Sequence, residues 1–369
     1  MRTIAIAFAV LLALTLASAP AAAPLEADDK APAASGPPEP MEMEALEELN
    51  EQLEPFIVEG EPEFDPVPSL DAPRFISVTD AGLSLDSRDI VFVIQGPQGA
   101  EIYPRLIMAR HEVLNLPGKP RRTLTYCPLT GSTQGYYGHV GMFDTTLGTT
   151  GSLVNSNRIL YDRSTNSRWP QMLGLAISGP LAGRYLKTFP VLWTTWSAAR
   201  NRWPEARVLS EDTGFRMRYD KDPYGSYSRP GTYYDSGGSY YPLSHVDTSM
   251  AAKARILGLS DGFAHLAVPR DAVKGRMAAD IDFGTRALVA LYDPDMDAVR
   301  IFDRLVGSES LTFDAFDGRV FDRQTKSYWN PEGVAVEGRL RGMRLTPVAA
   351  MDCFWFAWVA FHPHTRIYK

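Results

Sequence analysis

The chain has 369 residues but only two cysteines, Cys127 and Cys353. Two cysteines do not make the disulfide framework that small secreted proteins use. The sequence also contains no P-loop, no dinucleotide-binding glycine motif, no G-x-S-x-G and no H-E-x-x-H. It therefore gives no sign of the enzyme classes that these motifs mark. It also lacks a run of basic residues, which argues against nucleic-acid binding.

Long apolar runs are also scarce. Residues 4–17 form an apolar run of 14 residues behind Arg2, which is too short to span a bilayer comfortably. Ala19 and Ala21 then fit a signal-peptidase site. This pattern predicts a signal peptide over residues 1–21 and a secreted or periplasmic protein, which we expect to be a monomer. The alternative is that the segment stays uncleaved and is the part of the chain that meets a membrane.

Acidic charge is concentrated near the N-terminus. Residues 26–65 contain 14 acidic residues and one Lys, a net charge of −13, whereas the whole chain carries −7. The body from Pro66 onward is therefore mildly basic. Residues 22–73, rich in Pro and Glu, predict an acidic linker that buries little apolar surface and stays disordered or peripheral. Helical spacing within the linker predicts one short helix, on Met43, Leu46, Leu49 and Leu53.

Strand signals dominate the rest of the chain. Runs such as "DIVFVIQG" (89–96) and "RALVALYD" (286–293) are rich in β-branched and aromatic residues and are bounded by Gly or Asp. Helical patterns are fewer. The clearest are "LWTTWSAARNRW" (192–203) and "MDCFWFAWVAF" (351–361), each followed closely by a proline. We therefore predict a β-rich α+β fold.

One motif occurs twice. The segments "YDRSTNSRW" (161–169) and "FDRQTKSYW" (321–329) share Asp, Arg, Thr, Ser and Trp at identical spacing, 160 residues apart. The repeat predicts an internal duplication that gives two homologous lobes, each with a mixed or antiparallel sheet and a terminal helix. Lobe one would span residues 74–210 and lobe two residues 256–369. The Tyr- and Gly-rich connector between them, residues 211–255, is either a long ordered loop or a lid that faces a ligand.

Polar residues that occur in one lobe only are candidates for function, because the other lobe indicates that the fold does not require them. Three residues of lobe one align with unlike residues of lobe two: Cys127 with Asp293, His111 with the region of Met277, and Asn155 with Ala315. This asymmetry predicts a functional site in lobe one.

The sharpest chemical hypothesis is a thiol-dependent enzyme. Cys127 would be an accessible nucleophile of lowered pKa, His111 its base or imidazolium partner, and Asn155 a donor to developing charge. Asp162 also fits a purely structural role, since both lobes contain it and an Asp side chain can bond its own turn. The predicted ligand-binding residues are Asn115, Thr130, Ser132, Ser156, Asp162 and Arg163.

Several alternatives stay open. Cys127 could be a buried core residue, a partner of Cys353 in a disulfide, or a metal ligand. The segment "HEVLN" at His111 lacks the second histidine of a zinc motif, and "DPDMD" (293–297) lacks the Gly and the final acid of a calcium loop. We therefore predict no metal ligand and interpret "DPDMD" as a hairpin turn. The other function class is a non-catalytic cell-envelope protein that binds a small molecule, another envelope ligand or a metal.

Six motifs of the body form a specific combination: "AEIYPRLIMARHEVLN", "TYCPLTGS", "NSNRILYDRSTNSRW", "GPLAGRYL", "FDRQTKSYW" and "FWFAWVAFHPHT". From about Phe75 to Tyr368 the chain resembles a family known only as domain of unknown function 3179. The resemblance implies an exported or envelope-anchored protein, but it supplies no reaction, substrate or cofactor. Members often have Cys-Pro-Leu-Cys at the central motif. Here Thr130 replaces the second cysteine, so the resemblance does not support a two-thiol site.

Overall fold

The computed structural model describes residues 37–60, 65–96, 98–227 and 229–369. The predicted signal peptide and the first part of the predicted linker lie outside the described residues. The described chain is β-rich with few helices, as predicted, and its sheets are antiparallel or mixed. Its α-helices are α1 (Met43–Leu53), α2 (Val78–Ala81), α3 (Arg105–His111), α4 (Trp196–Arg202), α5 (Arg270–Lys274) and α6 (Trp355–Phe361).

The strands divide between a first half of the chain, up to residue 210, and a second half from residue 255. The first half contains β1 (Ile57–Val58), β2 (Phe75–Ser77), β3 (Ile90–Gly96), β4 (Gly99–Pro104), β5 (Val113–Leu116), β6 (Arg122–Cys127), β7 (Ser132–Tyr137), β8 (His139–Val140), β9 (Phe143–Asp144), β10 (Leu147–Val154), β11 (Asn157–Asp162), β12 (Arg168–Pro170), β13 (Thr188–Phe189), β14 (Leu192–Thr195) and β15 (Arg207–Leu209).

The second half contains the remaining strands, which are β16 (Arg255–Ser260), β17 (His265–Pro269), β18 (Ala278–Phe283), β19 (Arg286–Asp293), β20 (Ala298–Asp303), β21 (Leu305–Val306), β22 (Glu309–Ser310), β23 (Phe313–Phe316), β24 (Arg319–Asp322), β25 (Tyr328–Trp329), β26 (Ala335–Glu337), β27 (Thr346–Val348), β28 (Met351–Phe354) and β29 (Arg366–Ile367).

The two halves follow the same order of strand pairing. In the first half, β14, β3, β4 and β15 lie side by side, and the β4–β15 pair is parallel. In the second half, β28, β16, β17 and β29 lie in the corresponding order, and the β17–β29 pair is parallel. The antiparallel runs β5–β6–β7 and β18–β19–β20 also correspond. Corresponding strands in the two halves are therefore joined by turns at equivalent positions of the topology.

The halves are joined through one sheet. Strand β28 of the second half pairs with β7 of the first half, where Asp352 lies opposite Thr133. An eight-stranded sheet results, and it contains β5, β6, β7 and β13 from the first half together with β16, β17, β28 and β29 from the second. The predicted lobes are thus not separate bodies, because their central strands share backbone hydrogen bonds.

The first four residues of each of the two predicted helical segments form a strand instead of a helix. Residues 192–195 pair with β3 and residues 351–354 pair with β16, so the helices start only at Trp196 and Trp355. The Thr195 hydroxyl accepts a hydrogen bond from the backbone N–H of Ala198 and caps α4. Sheet pairing thus overrides a helical pattern in residues that are aromatic or β-branched. No helix in the described part of the chain is long and apolar enough to cross a membrane.

The repeated Asp-Arg-x-Thr-x-Ser-x-Trp segment forms the same turn twice, as predicted. The buried Asp162 carboxylate accepts hydrogen bonds from the Thr165 hydroxyl at 2.7 Å and from the Trp169 indole N–H at 3.2 Å. The Asp322 carboxylate accepts from its own Trp329 at 3.0 Å. A buried carboxylate needs such donors to offset its desolvation, so both Asp residues are fixed in place by their turns.

The end of the predicted acidic linker is more ordered than its composition indicates. Helix α1 buries Leu46 and Leu53, and the Asn50 amide donates to the carbonyl of Ile177 at 2.9 Å. Strand β1 then pairs antiparallel with β10. This segment is ordered because the body supplies an apolar surface and an open strand edge that the segment cannot supply itself.

Candidate functional site

Cys127 lies at the end of β6, where the four-residue turn 128–131 leads into β7. Its side chain is 0% exposed and belongs to a hydrophobic cluster that also contains Leu129 and Cys353. Both thiols are free. The sulfur of Cys127 lies 3.8 Å from the carbonyl oxygen of Ser156. The prediction of an accessible thiol is therefore wrong in this structure, because the surrounding segments exclude solvent from the sulfur.

The electrostatics around Cys127 favour the neutral thiol. Burial raises its pKa, and the nearby carboxylate of Glu112 raises it further, while the Arg158 charge and hydrogen bonds from Thr130 act in the opposite direction. The net direction is upward, so the predicted lowering of the thiol pKa is also wrong for this closed arrangement. A thiol of raised pKa in a closed apolar cluster is a poor nucleophile.

A buried ion pair lies beside the thiol. The Arg158 guanidinium donates from two nitrogens to the two oxygens of Glu112, one of these bonds being 2.9 Å long, and both side chains are almost fully buried. Glu112 follows directly after α3 in the left-handed region, with φ of 60°. A paired guanidinium and carboxylate satisfy most of each other's hydrogen-bonding capacity in a dry site. The site therefore carries both signs of charge in addition to the sulfur.

A network of neutral polar side chains extends from the turn. The Asn157 amide donates to the Thr130 hydroxyl at 3.0 Å and to the side-chain oxygen of Gln171 at 2.8 Å. The Ser132 hydroxyl donates to the same Gln171 oxygen at 2.6 Å, and the Gln171 amide donates to Thr125 at 3.1 Å. All five residues are buried. A fully satisfied buried network fixes the rotamers of its members and gives a rigid polar floor.

Asn155 and Ser156 form the second turn of the site. Both have positive φ, 50° and 63°, in the hairpin between β10 and β11. The Asn155 amide donates to the carbonyl of Ala360 at 3.1 Å, and its oxygen accepts from the backbone N–H of Ser244 at 2.7 Å. The Ser156 hydroxyl donates to the carbonyl of Tyr241. The turn is thus bonded to helix α6 and to the connector.

The connector covers the site. The Tyr233 hydroxyl donates to the carbonyl of Leu129, inside the turn that follows Cys127, at 2.6 Å. Asp222 of the connector pairs with buried Arg105 and accepts from the Tyr234 hydroxyl at 2.7 Å. The Arg105 guanidinium also lies over the ring of Tyr227, 4.9 Å from its centroid. These contacts hold the connector down on the first half at several points.

His111 does not partner the thiol. Its Nδ1 lies 2.7 Å from the carbonyl oxygen of Pro68 and its Nε2 lies 2.6 Å from the Tyr219 hydroxyl. A carbonyl can only accept, so Nδ1 carries the proton and Nε2 accepts from Tyr219 in the neutral ring. Burial lowers the pKa of His111, which opposes the predicted imidazolium. The predicted Cys127–His111 pair is therefore wrong, since both ring nitrogens are engaged elsewhere.

Three other predicted ligand residues hold the scaffold. Asn115 is buried, and its amide donates to Asp71 at 2.7 Å and to the carbonyl of Leu147 at 2.8 Å. Asp162 is saturated by its own turn. Arg163 forms ion pairs with Asp65 and Asp71. Of the predicted site residues, the structure thus brings together Cys127, Thr130, Ser132, Asn155 and Ser156.

Sequence reasoning missed Glu112, Arg158, Asn157 and Gln171. For Glu112 a signal existed, because Glu112 lies directly before β5 and the residue directly before β18 is Met277, which has the same left-handed conformation, with φ of 64°. The counterpart of Met277 is thus Glu112 rather than His111, and a charge in one half faces an apolar residue in the other. A one-residue error in aligning two short helices concealed this difference.

The hairpins correct the alignment in the same way. Asn155 occupies the turn between β10 and β11, whereas the turn between β23 and β24 contains Asp317, with φ of 51°. Asp317, and not Ala315, is therefore the positional counterpart of Asn155. The Asp293 turn is a hairpin between β19 and β20, as predicted. Within the described residues, no group of three or more His, Cys, Asp or Glu side chains could hold a metal ion.

Comparison with known proteins identifies a family without a known activity. No curated protein matches the chain, and no solved structure matches it. A family model described as "Protein of unknown function (DUF3179)" matches residues 64–365, which is most of the chain. The match agrees with the resemblance that the motifs of the body indicate. The chain therefore belongs to the DUF3179 family.

Proposed function

We propose that this chain is an exported, non-catalytic binding protein whose ligand site lies in the first half beneath the connector. One observation carries the proposal. The turn after Asp293 borders an open cleft of about 340 Å³. In the first half, by contrast, connector residue Tyr233 covers the corresponding turn after Cys127, and Ser244 covers the adjacent Asn155 hairpin. The covered site has a rigid polar floor and both signs of charge, which suits a small polar ligand with donors and acceptors.

The connector is suited to open as a unit. Among its described residues up to 254 the regular secondary structure consists of one 3-10 turn, Tyr233–Asp235. Its contacts with the site are hydrogen bonds and aromatic packing rather than strand pairing. Segments with few backbone ladder bonds open locally at a lower free-energy cost than central strands do. A ligand would then bind Glu112, Arg158 and Asn157 after the connector moves.

A thiol-dependent enzyme is the second candidate, favoured by one observation. In the closed arrangement, burial raises the pKa of Cys127 more than Arg158 and Thr130 lower it. When the connector opens, water reduces the effect of burial while both stabilising groups remain. The opened thiol would then ionise more readily than the closed one, as a nucleophile requires.

Thiol labelling tests the cover, with iodoacetamide as the probe and mass spectrometry to assign each label. The double variant Tyr233→Phe, Ser244→Ala removes three hydrogen bonds of the connector, including the bond from the Ser244 hydroxyl to Ala360. Each such bond contributes about 0.5–1.5 kcal/mol, so Cys127 should label about tenfold faster or more. Tyr240→Phe, at an exposed position of the connector, is the matched control and should leave the rate unchanged.

Cys353 provides the internal reference. It lies on β28, inside the eight-stranded sheet, and should label only on global unfolding. Equal labelling rates for Cys127 and Cys353 in the wild-type protein would mean that the connector does not open separately, and the proposal would fail. In the opened variant, a Cys127 labelling profile with its inflection below the ordinary thiol pKa favours the enzyme. An inflection at or above the ordinary thiol pKa argues against the enzyme and supports the binding function.

We also propose that the halves descend from one duplicated unit, that the protein is exported, and that it is a monomer. The common strand order and the repeated Asp–Trp turn support the duplication. Sequence profiles built separately from the two halves of family members should then detect each other. N-terminal sequencing of the mature protein should begin at Ala22, and light scattering should give the monomer mass. A chain that still begins at Met1, or a dimer mass, would contradict these two points.

A further inference from the structure

The cleft of the second half is a separate feature from the Cys127 site. It has a volume of about 340 Å³ and is bordered by the turn after Asp293, the turn at Gly318, the β25–β26 loop and Arg202 at the end of α4. Its volume is within the range of small-molecule and peptide-anchor pockets. Its rim includes an exposed apolar side chain, Val336, which is 41% exposed. Exposed apolar groups around a concave surface mark interaction sites.

Each border of this cleft has a counterpart in the first half. The Asp293 turn corresponds to the Cys127 turn, and both carry a left-handed residue at the fourth turn position, Gly131 and Asp297. The Asp317 hairpin corresponds to the Asn155 hairpin. Helices α4 and α6 also correspond. The end of α6 contributes the Ala360 carbonyl to the first-half site, and the end of α4 contributes Arg202 to the second-half cleft. The two places are thus the same element of the fold, one of them covered and one open.

The first half identifies what this element accepts. Its occupant is a tyrosine-bearing segment with little regular secondary structure, which makes two anchoring contacts. The Tyr233 hydroxyl reaches the carbonyl of Leu129 in the first turn, and the backbone N–H of Ser244 donates to the Asn155 side chain in the second. In the second half, Asp295 takes the place of Leu129 and is exposed. Asp317 is also exposed and presents a carboxylate acceptor where Asn155 presents an amide oxygen.

We infer that the second-half cleft is a docking site for a tyrosine-bearing loop segment of a partner protein, bound as the connector is bound in the first half. An aromatic ring of the partner enters the cleft, and its backbone N–H groups donate to Asp317. Val336 covers one side of that segment. Aromatic anchors in a pocket with a polar rim are the usual energetic centre of such contacts. The inference does not depend on the proposed function of the first half.

A synthetic peptide with the sequence of residues 230–246 is the probe, titrated into the full chain. We expect a dissociation constant on the order of 10–100 μM, as for short peptides in shallow grooves. Val336→Arg should weaken binding about tenfold or more, because it places a charge on the apolar rim. Asp317→Ala should weaken binding, whereas Asp317→Asn should restore it, since Asn holds the equivalent position in the first half.

Controls separate the other outcomes. Phe263→Arg replaces an 87% exposed aromatic residue outside the cleft and should leave binding unchanged. Absence of peptide binding at about 1 mM, or equal binding to wild type and Val336→Arg, would overturn the inference. N-acetyl-tyrosine amide binding as tightly as the peptide would do the same, because the site would then hold one ring and not a segment. Cys127 labelling reports the first half independently, so failure of the two proposals can be distinguished.

Discussion

The same turn meets two different environments in the two halves of this molecule. In the first half, the turn after Cys127 is buried beneath the connector and beside the Glu112–Arg158 pair. In the second half, the turn after Asp293 has exposed residues at Pro294 and Asp295, and Asp293 pairs with Arg300 at 2.7 Å. The backbone scaffold is common, so the difference in chemistry arises from side chains and from what covers them.

This comparison also explains why a thiol can occupy a position where the other half has a carboxylate. Asp293 at its turn is satisfied by Arg300 and by the backbone N–H groups of Asp295 and Met296. Cys127 needs no such partners because a neutral thiol has a small desolvation cost. A charged counterpart in one half therefore does not imply that the position is open to solvent in the other.

The largest effect is expected from breaking the buried Glu112–Arg158 ion pair of the first half. Arg158→Met leaves the Glu112 carboxylate buried without its partner, and such losses cost about 3–5 kcal/mol. Urea unfolding should report this decrease in the free energy of unfolding. The double variant Glu112→Met, Arg158→Met should recover most of it, since Met277 holds the Glu112 position in the second half. A double variant as unstable as the single one would contradict the assignment.

The exposed Lys274–Asp297 pair beside the second turn is the matched control. Solvent-exposed ion pairs contribute less than about 1 kcal/mol, so Asp297→Asn should have a small effect on the same measurement. A loss as large as that of Arg158→Met would mean that burial does not distinguish the two ion pairs.

The second effect concerns Gly131, the fourth residue of the Cys127 turn. Gly131 has φ of 55°, and a Cβ atom there would lie 2.7 Å from the Phe354 ring. Gly307, in the β21–β22 turn, has φ of 63° but open space around it. Gly131→Ala should therefore destabilise the protein by about 1–3 kcal/mol more than Gly307→Ala, because only the first adds overpacking to backbone strain. Thermal unfolding of the two variants measures this difference, and equal shifts would contradict it.

Local features of the fold could be predicted from the sequence. The Asp162 and Asp322 turns depend on residues within seven positions of each other, so a short motif was sufficient to identify them. The β-rich class followed for the same reason, from runs such as residues 286–293. The strand starts at Leu192 and Met351 could not be predicted, because their pairing partners lie far away in the sequence.

The environment of Cys127 could not be predicted either. Its burial depends on Tyr233, about a hundred residues later, and on α6 at the end of the chain. No local pattern encodes such contacts. The polar character of the site could be recognised from the comparison of halves, and so could Glu112, through its counterpart Met277. The pairing of Glu112 with Arg158 could not be predicted, because it forms only when the start of β5 and β11 are arranged in space.

The smallest expected effect is a pH dependence of stability that arises from the histidines of the second half and not from His111 of the first. Both ring nitrogens of His111 have partners, whereas His265 and His362 stack at 4.0 Å and leave Nδ1 and Nε2, respectively, buried without a hydrogen bond. Burial lowers the pKa of His265, although the nearby negative charge of Asp261 acts in the opposite direction. The pKa of His362 is lowered by burial and by the proximity of His265. Both therefore stay neutral in the folded state at a pH where the unfolded chain is protonated.

Stability should accordingly be complete above pH 6.5, the ordinary value for histidine, and should fall as the pH decreases below it, because the unfolded state then binds more protons. The loss is at most about 1.4 kcal/mol per pH unit for each histidine. His362→Gln should flatten this dependence between pH 6.5 and the carboxylate range, when measured by urea unfolding at each pH. His364→Gln, at an exposed position, should keep the wild-type dependence. A slope that His362→Gln leaves unchanged would assign the acid sensitivity to His111 or to groups other than the stacked pair of the second half.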